Sequence, residues 1–235
     1  DDLLQASPGN FNIKVYGLAV TILNNETPLH WIIKAGKVHN GIDFTANASR
    51  ILPTTQAAAS LDFKGGPFLI FPRDTAGLRT VINTFNNGPA AAAKVNVYKL
   101  TSVTSVDERY VLSQKPKAAL LNDGGNAAIH QGYMEEASIP AANYSILSTA
   151  ANLDLECYTF ASEPHSTAVS SVLDSIQAWV TRGGNFLGQC KAVNTYENLQ
   201  HFQTDLGITI SNTATSPNYF YPNAAYFSVN QRKYW

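Results

Sequence analysis

KAALLNDGGN, residues 117–126, is an apolar strand that runs straight into an Asn-Asp-Gly-Gly turn. Four apolar residues in a row, closed by turn formers, mark a strand buried on both faces. AAIHQGYMEEASI (127–139) follows, with apolar residues at 129, 133, 134 and 137, a helical spacing. YSILST (144–149) and LECYTF (155–160) read as two further strands, the second leading into ASEPH. STAVSSVLDSIQAWVTRGG (166–184) is the clearest helix of the chain. Ser166 stands at its N-cap, apolar residues fall at 169, 172, 176, 179 and 180, and Gly183-Gly184 closes it. NFLGQ (185–189) is a buried strand, KAVNTYENLQHFQTDLG (191–207) a helix, and ITI (208–210) a short strand. The order β-α-β-β-α-β-α-β predicts a parallel sheet with helices on both faces. In such sheets ligands bind outside the carboxyl ends of the strands.

Upstream the pattern is weaker. Residues 11–33, FNIKVYGLAVTILNNETPLHWII, fit a short helix over about 16–25 and a strand over 28–33, or a β-hairpin turning at Asn24-Asn25. Residues 34–66 are rich in small and turn residues and predict short strands and loops. PFLIF (67–71), then DTAGLRTVINTFNNG with apolar positions 78, 81, 82 and 85, then KVNVYKL (94–100) predict a strand–helix–strand unit with parallel strands. TSVTSVDERYVLSQK (101–115) fits a strand pair or a linker. The chain thus divides into a smaller α/β module over 1–115 and a flavodoxin-like doubly wound domain over 116–235.

Composition narrows the function classes. Of 235 residues, 45% are hydrophobic and only 14% are charged, and the net charge is −1. A broad basic face for nucleic acid is excluded, as is a polybasic membrane-surface patch. No apolar run approaches the roughly 18 residues of a membrane helix. Neutral polar runs such as TANAS, NTFNNG and SNTATSPN replace the missing charge, as in many secreted and cell-surface proteins, and predict an extracellular or cell-surface location. The opening DDLLQASPGN has neither the basic start nor the apolar core of a signal peptide. Sequons at Asn25, Asn47 and Asn143 are short enough to arise by chance. Two cysteines, Cys157 and Cys190, exclude a disulfide-stapled scaffold. They sit at opposite ends of adjacent strands in this reading, so both are expected as free thiols. No Walker loop, no Gly-x-Gly-x-x-Gly and no zinc spacing is present, so neither a cofactor nor a metal is expected.

One motif carries chemistry. Gly183-Gly184-Asn185-Phe186-Leu187-Gly188-Gln189-Cys190 is a strand that turns directly into a helix. A nucleophile at such an elbow projects from the top of the sheet, where the helix N-terminus favours a thiolate and the Lys191 amide faces the group under attack. Glu163-Pro164-His165 and the loop Asp123-Gly124-Gly125-Asn126 follow neighbouring strands and belong at the same edge. A Cys190–His165 pair with Glu163 as a third group fits the generalised triad, with the Asp123–Asn126 loop and Lys191 as oxyanion donors. Each also has a plain structural use: a small buried residue for Cys190, helix-start packing for His165, capping or turn chemistry for Glu163 and Asp123. Glu197 lies two turns along the helix after Cys190.

These residues resemble the class I glutamine amidotransferase-like superfamily. That group includes amidotransferase domains, the DJ-1/PfpI proteins and the amidotransferase-like domain found near biotin-protein ligases. The resemblance rests on the elbow, on Trp179-Val180 before it and on the KAALLNDGGN loop, and it covers about 117–210. It implies a flavodoxin-like sheet with Cys190 as nucleophile. Two features depart from the superfamily's pattern. Ala192 stands two residues after the Cys where a Gly is usual, and the late His and Glu have no clear match, so glutaminase chemistry is not implied.

The remaining stretches say less. Lys34, Lys37 and Asp43 in IIKAGKVHNGIDF fit a polar site or a solvated hairpin. Residues 212–235 carry Tyr219, Phe220, Tyr221, Tyr226, Phe227, Tyr234 and Trp235 with few charges, which suits self-association or a small-molecule or glycan ligand, or a tail folded on its own domain. Two functions stay open: a binding, structural or self-assembling protein that keeps the fold without glutaminase chemistry, and a Cys190-dependent hydrolase or amidotransferase-like enzyme.

Overall fold

The structure is a computed structural model and describes residues 12–89, 93–155, 157–165 and 170–200. In the first half, α1 (Lys14–Asn24) turns the stripe Leu18, Ala19, Ile22 and Leu23 inward. This selects the helix-then-strand reading over the hairpin. β1 (Leu29–Ile32) lies between β4 (Phe68–Leu69) and β6 (Glu108–Leu112), both antiparallel to it. β2 (Ile42–Leu52) lies between β3 (Ala59–Lys64) and β5 (Val97–Leu100), again antiparallel. α2 (Leu78–Asn87) buries Leu78 and Ile82.

The expected parallel strand–helix–strand unit over 67–100 is therefore corrected. Its strands β4 and β5 belong to different sheets. The strand at 34–66 is also longer than expected. Phe44, Ala46 and Ala48 alternate inward along β2, and Phe44 stacks on Phe63 of β3 at 4.6 Å. Asp43 is not part of a solvated hairpin. Its side chain is fully buried, and its oxygens accept the amides of Lys34 (3.0 Å) and Gly66 (2.9 Å) and the Lys37 ammonium (2.6 Å). Burial pushes this carboxyl up, but Lys37 and the two amides outweigh it and hold it below the usual carboxylate range.

The second half is a four-stranded parallel sheet in the order β8-β7-β9-β10, formed by β7 (Ala118–Leu121), β8 (Tyr144–Leu147), β9 (Phe160–Glu163) and β10 (Asn185–Gly188). The alternation of a strand sorts its two faces. Ala119 and Leu121 pack with Leu173, Ile176 and Trp179 of α4 (Ser170–Thr181) and with Ala192 and Tyr196 of α5 (Lys191–Gln200). Ala118 and Leu120 pack on the other face with Ala127 and Met134 of α3 (Ala127–Glu136). A mixed α/β fold with helices on both faces of a parallel sheet follows.

Two details differ from the sequence reading. The strand expected at 155–160 begins at Phe160, preceded by a 3-10 turn over Ala150–Leu155. Cys157 thus lies ahead of β9 rather than within it. The inward face of α3 is Ala127, His130 and Met134, continued by Ala137 just past its end, while Ile129 and Tyr133 are exposed. The Ser166 cap and the 208–210 strand lie outside the described residues. No helix among the described residues is long and apolar enough to cross a membrane.

The halves touch through α1. Asn24 and Asn143 exchange side-chain hydrogen bonds of 2.7 and 3.0 Å, and Lys14 Nζ reaches the Ser138 hydroxyl at 3.1 Å. Gly17 sits so close to the chain after α3 that a Cβ there would collide with the Ala137 carbonyl oxygen. Gly17→Val should therefore lower stability by about 3 kcal/mol, the cost of overpacking against backbone that cannot give way. An unchanged urea midpoint would show that the two halves do not pack this way.

Candidate functional site

The carboxyl edge of the parallel sheet gathers the chemistry-bearing residues. β9 ends at Glu163, whose Cα partner on β10 is Gly188. Pairing continues one step further, where the Gln189 amide donates to the Glu163 carbonyl at 3.0 Å. The chain then turns at Cys190, and α5 begins at once, with the Ala192 amide donating to the Gln189 carbonyl at 3.0 Å. Cys190 has φ +49°, the left-handed region that a residue with a Cβ rarely adopts. It is exposed, and so is Lys191. As the first residue of α5, Lys191 has an amide with no acceptor inside the helix. The predicted elbow is present as geometry: an exposed thiol on a strained strand-to-helix turn.

Two buried polar features frame it. Glu163 is fully buried. Burial first, and then the adjoining Asp123 carboxyl, push it up to about 9, with the His165 amide opposing them. Glu163 therefore keeps its proton at neutral pH and acts as a donor, not as the carboxylate that orients a histidine. His165 is half-buried and contributes this backbone contact. No hydrogen bond joins it to Cys190 among the described residues.

The second feature is a histidine that the sequence reading passed over. His130 on α3 is buried, with Nδ1 2.8 Å from the Ser162 hydroxyl on β9 and Nε2 2.6 Å from Gln189 Oε1 beside Cys190. An Oε1 only accepts, so Nε2 carries the proton and Nδ1 accepts from Ser162. This chain of bonds ties α3 and β9 to the residue before Cys190.

The Asp123–Asn126 loop follows β7 at the same edge. Gly125 (φ +77°) and Asn126 (φ +68°) are both left-handed, and the Gly125 amide donates to the Asn122 carbonyl at 3.1 Å. The first amide of α3, at Ala127, is taken by Asn122 Oδ1 at 3.2 Å. Asp123 faces Glu163, and Gly124 completes the turn. The structure thus brings Asp123 and Glu163 together and places Cys190, Lys191 and His165 along the same edge. Glu197 is buried on α5. Cys157 and Cys190 are both free and exposed. Among the described residues no three His, Cys, Asp or Glu side chains could share a metal ion.

No family model, no curated protein and no solved structure matches this chain.

Proposed function

We propose that Cys190 is the nucleophile of a covalent-catalysis site acting on small acyl or carbonyl electrophiles. The observation that carries this is the left-handed φ of an exposed cysteine at a strand-to-helix turn. Such strain costs on the order of 1 kcal/mol and persists where function needs the geometry. The strand order β8-β7-β9-β10 supports a flavodoxin-like sheet of the amidotransferase-like kind, since strands taken in chain order lie 2-1-3-4 and the order reverses beside the site. The Cys190 thiol gives its proton to water, the sulfur attacks the carbonyl carbon, the leaving oxygen departs as an anion with the electron pair of the broken C–O bond, and water later cleaves the thioester to a carboxylic acid and the restored thiol. The Lys191 amide stabilises the oxyanion, and the His130–Gln189 bond holds the turn. Glu163 holds its proton and is no general base, and among the described residues no His bonds the thiol, so an activated acyl group suits the site better than the amide of glutamine.

A test is direct. With p-nitrophenyl acetate the protein should give a burst of p-nitrophenolate matching the chain concentration and an acetyl adduct on Cys190 by peptide mass. Cys190→Ala should give neither.

The bonding of His130 and the lack of a bond from His165 to Cys190 favour a second reading. Both ring nitrogens of His130 are engaged, so among the described residues no free base is bonded to the thiol. Under that reading the protein is an extracellular or cell-surface binding or structural protein that self-associates through 212–235, residues outside those described. It would then give no adduct, and light scattering would find an assembly that is lost when the tail is removed.

A further inference from the structure

The fold separates three sequons that the sequence leaves alike, Asn25-Glu26-Thr27, Asn47-Ala48-Ser49 and Asn143-Tyr144-Ser145. Each has the Asn-x-Ser/Thr pattern of an N-glycan acceptor. An Asn side-chain nitrogen carries two protons, and a sugar replaces one of them. The fold therefore decides which asparagine has a proton to give up and room outside it.

Asn25 is exposed at the C-cap of α1. Its Nδ2 donates once, to the Thr21 carbonyl at 2.8 Å. No described residue takes the second proton, so a sugar in its place leaves the Thr21 bond intact. Asn47 is exposed on β2, the central strand of its sheet. Its side chain bonds no described residue, and its backbone carbonyl accepts the amide and hydroxyl of Thr101 at 2.9 and 3.0 Å. Thr45 lies two residues along the same face and Ser60 directly opposite on β3. These neighbours, Thr45, Ser60 and Thr101, are small and exposed, so none of them crowds the Asn47 amide.

Asn143 is the opposite case. It is buried where the two halves touch, and its Nδ2 donates both protons, to Asn24 Oδ1 at 3.0 Å and to the Pro116 carbonyl at 2.7 Å. Its Oδ1 accepts from Asn24 Nδ2 at 2.7 Å. A sugar here would break a buried hydrogen bond and wedge the halves apart.

We propose that Asn25 and Asn47 are N-glycan attachment sites and that Asn143 is not. The inference rests on the extracellular reading of the neutral polar surface and is independent of Cys190. The co-reactant is a lipid-pyrophosphate-linked oligosaccharide, and the catalyst is the transferase of a secretory compartment. Nδ2 gives one proton to a base of the transferase and bonds C1 of the sugar. The C1–O bond breaks, and the lipid pyrophosphate leaves with its electron pair. One N–H stays on each modified nitrogen, which at Asn25 is the one that Thr21 holds.

Peptide mapping by mass spectrometry tests the assignment on the full chain from two sources. One is the chain secreted by eukaryotic host cells behind an added leader, and the other is the protein isolated from its own cells. In both, the peptides holding Asn25 and Asn47 should carry N-acetylhexosamine-based glycans, and peptide N-glycosidase should convert both residues to Asp. The Asn143 peptide should be unmodified. Asn25→Gln and Asn47→Gln should each remove one glycan, and together they should remove all of it from a chain that is still secreted. Cys190→Ala should keep both glycans, which separates these sites from the catalytic proposal. Bare Asn25 and Asn47 in the leader-directed chain, or a glycan on Asn143 of that secreted chain, overturn the assignment from the fold. Glycans on the leader-directed chain with none on the protein from its own cells overturn the proposal through the location on which it rests.

Discussion

Glu163→Gln should raise stability at pH 9 by several kcal/mol and change it far less at pH 5, because a neutral side chain then replaces a carboxyl that the fold resists ionising. The carboxyl is pushed up to about 9 by burial and by Asp123. Between the ordinary carboxylate value and 9, the unfolded chain has released this proton while the folded chain retains it. The unfolded state then binds fewer protons, so stability falls as pH rises through this window and levels off above it. The contribution is fully present only below the unfolded value. Glutamine keeps an N–H donor toward Asp123 and has nothing to titrate, so urea midpoints of the variant should be flat where those of the parent decline. Parallel declines in both proteins would place the titration elsewhere.

Asp43→Ala should cost about 4 kcal/mol, the largest loss expected of any single substitution in the first half. It strands the Lys37 ammonium, which is mostly buried, and the amides of Lys34 and Gly66. Each unsatisfied buried donor adds about 1 kcal/mol or more. This carboxyl is held low, so its contribution is present above the usual carboxylate value and is lost as pH falls through its folded value. The parent should thus lose stability below about pH 4 in a step that Asp43→Ala lacks. Glu163 and Asp43 therefore act at opposite ends of the pH scale, and circular dichroism at pH 3 and pH 9 separates them.

The legibility of the chain follows its periodicity. In 117–200, β7 is short, apolar and bounded by turn formers, and β7, α4, β10 and the start of α5 were readable with few errors of boundary, although β10 was expected to be buried and alternates between exposed and half-buried residues. The first half was not readable in the same way. PFLIF and KVNVYKL announce strands, but periodicity records a strand's faces and not its partner, so β4 and β5 were paired with each other instead of with β1 and β2. β2 was hidden because Ala46 and Ala48 are too small to stand out as an alternating core. At the site, the elbow was legible because Gly188-Gln189-Cys190 is local. The His130–Ser162 and His130–Gln189 bonds were not, since residues 130, 162 and 189 lie on three elements with no spacing in common. The α3 stripe was read as 129, 133, 134 and 137, of which Met134 and Ala137 do face inward while Ile129 and Tyr133 lie beside the face that carries His130. Glu163 was recognised by its place at the strand end, but only its burial shows that it is an acid and not a carboxylate.

The strain at Cys190 and the reactivity proposed for it belong to the same turn, and labelling of the native protein reads that turn directly. With substoichiometric iodoacetamide at neutral pH, peptide mass spectrometry gives the alkylation rates of Cys190 and Cys157 in one sample. Both thiols are exposed, so access does not separate them. An elbow nucleophile at the start of α5 should react at least about tenfold faster than Cys157. Equal and slow labelling of the two thiols would contradict a nucleophilic role for Cys190.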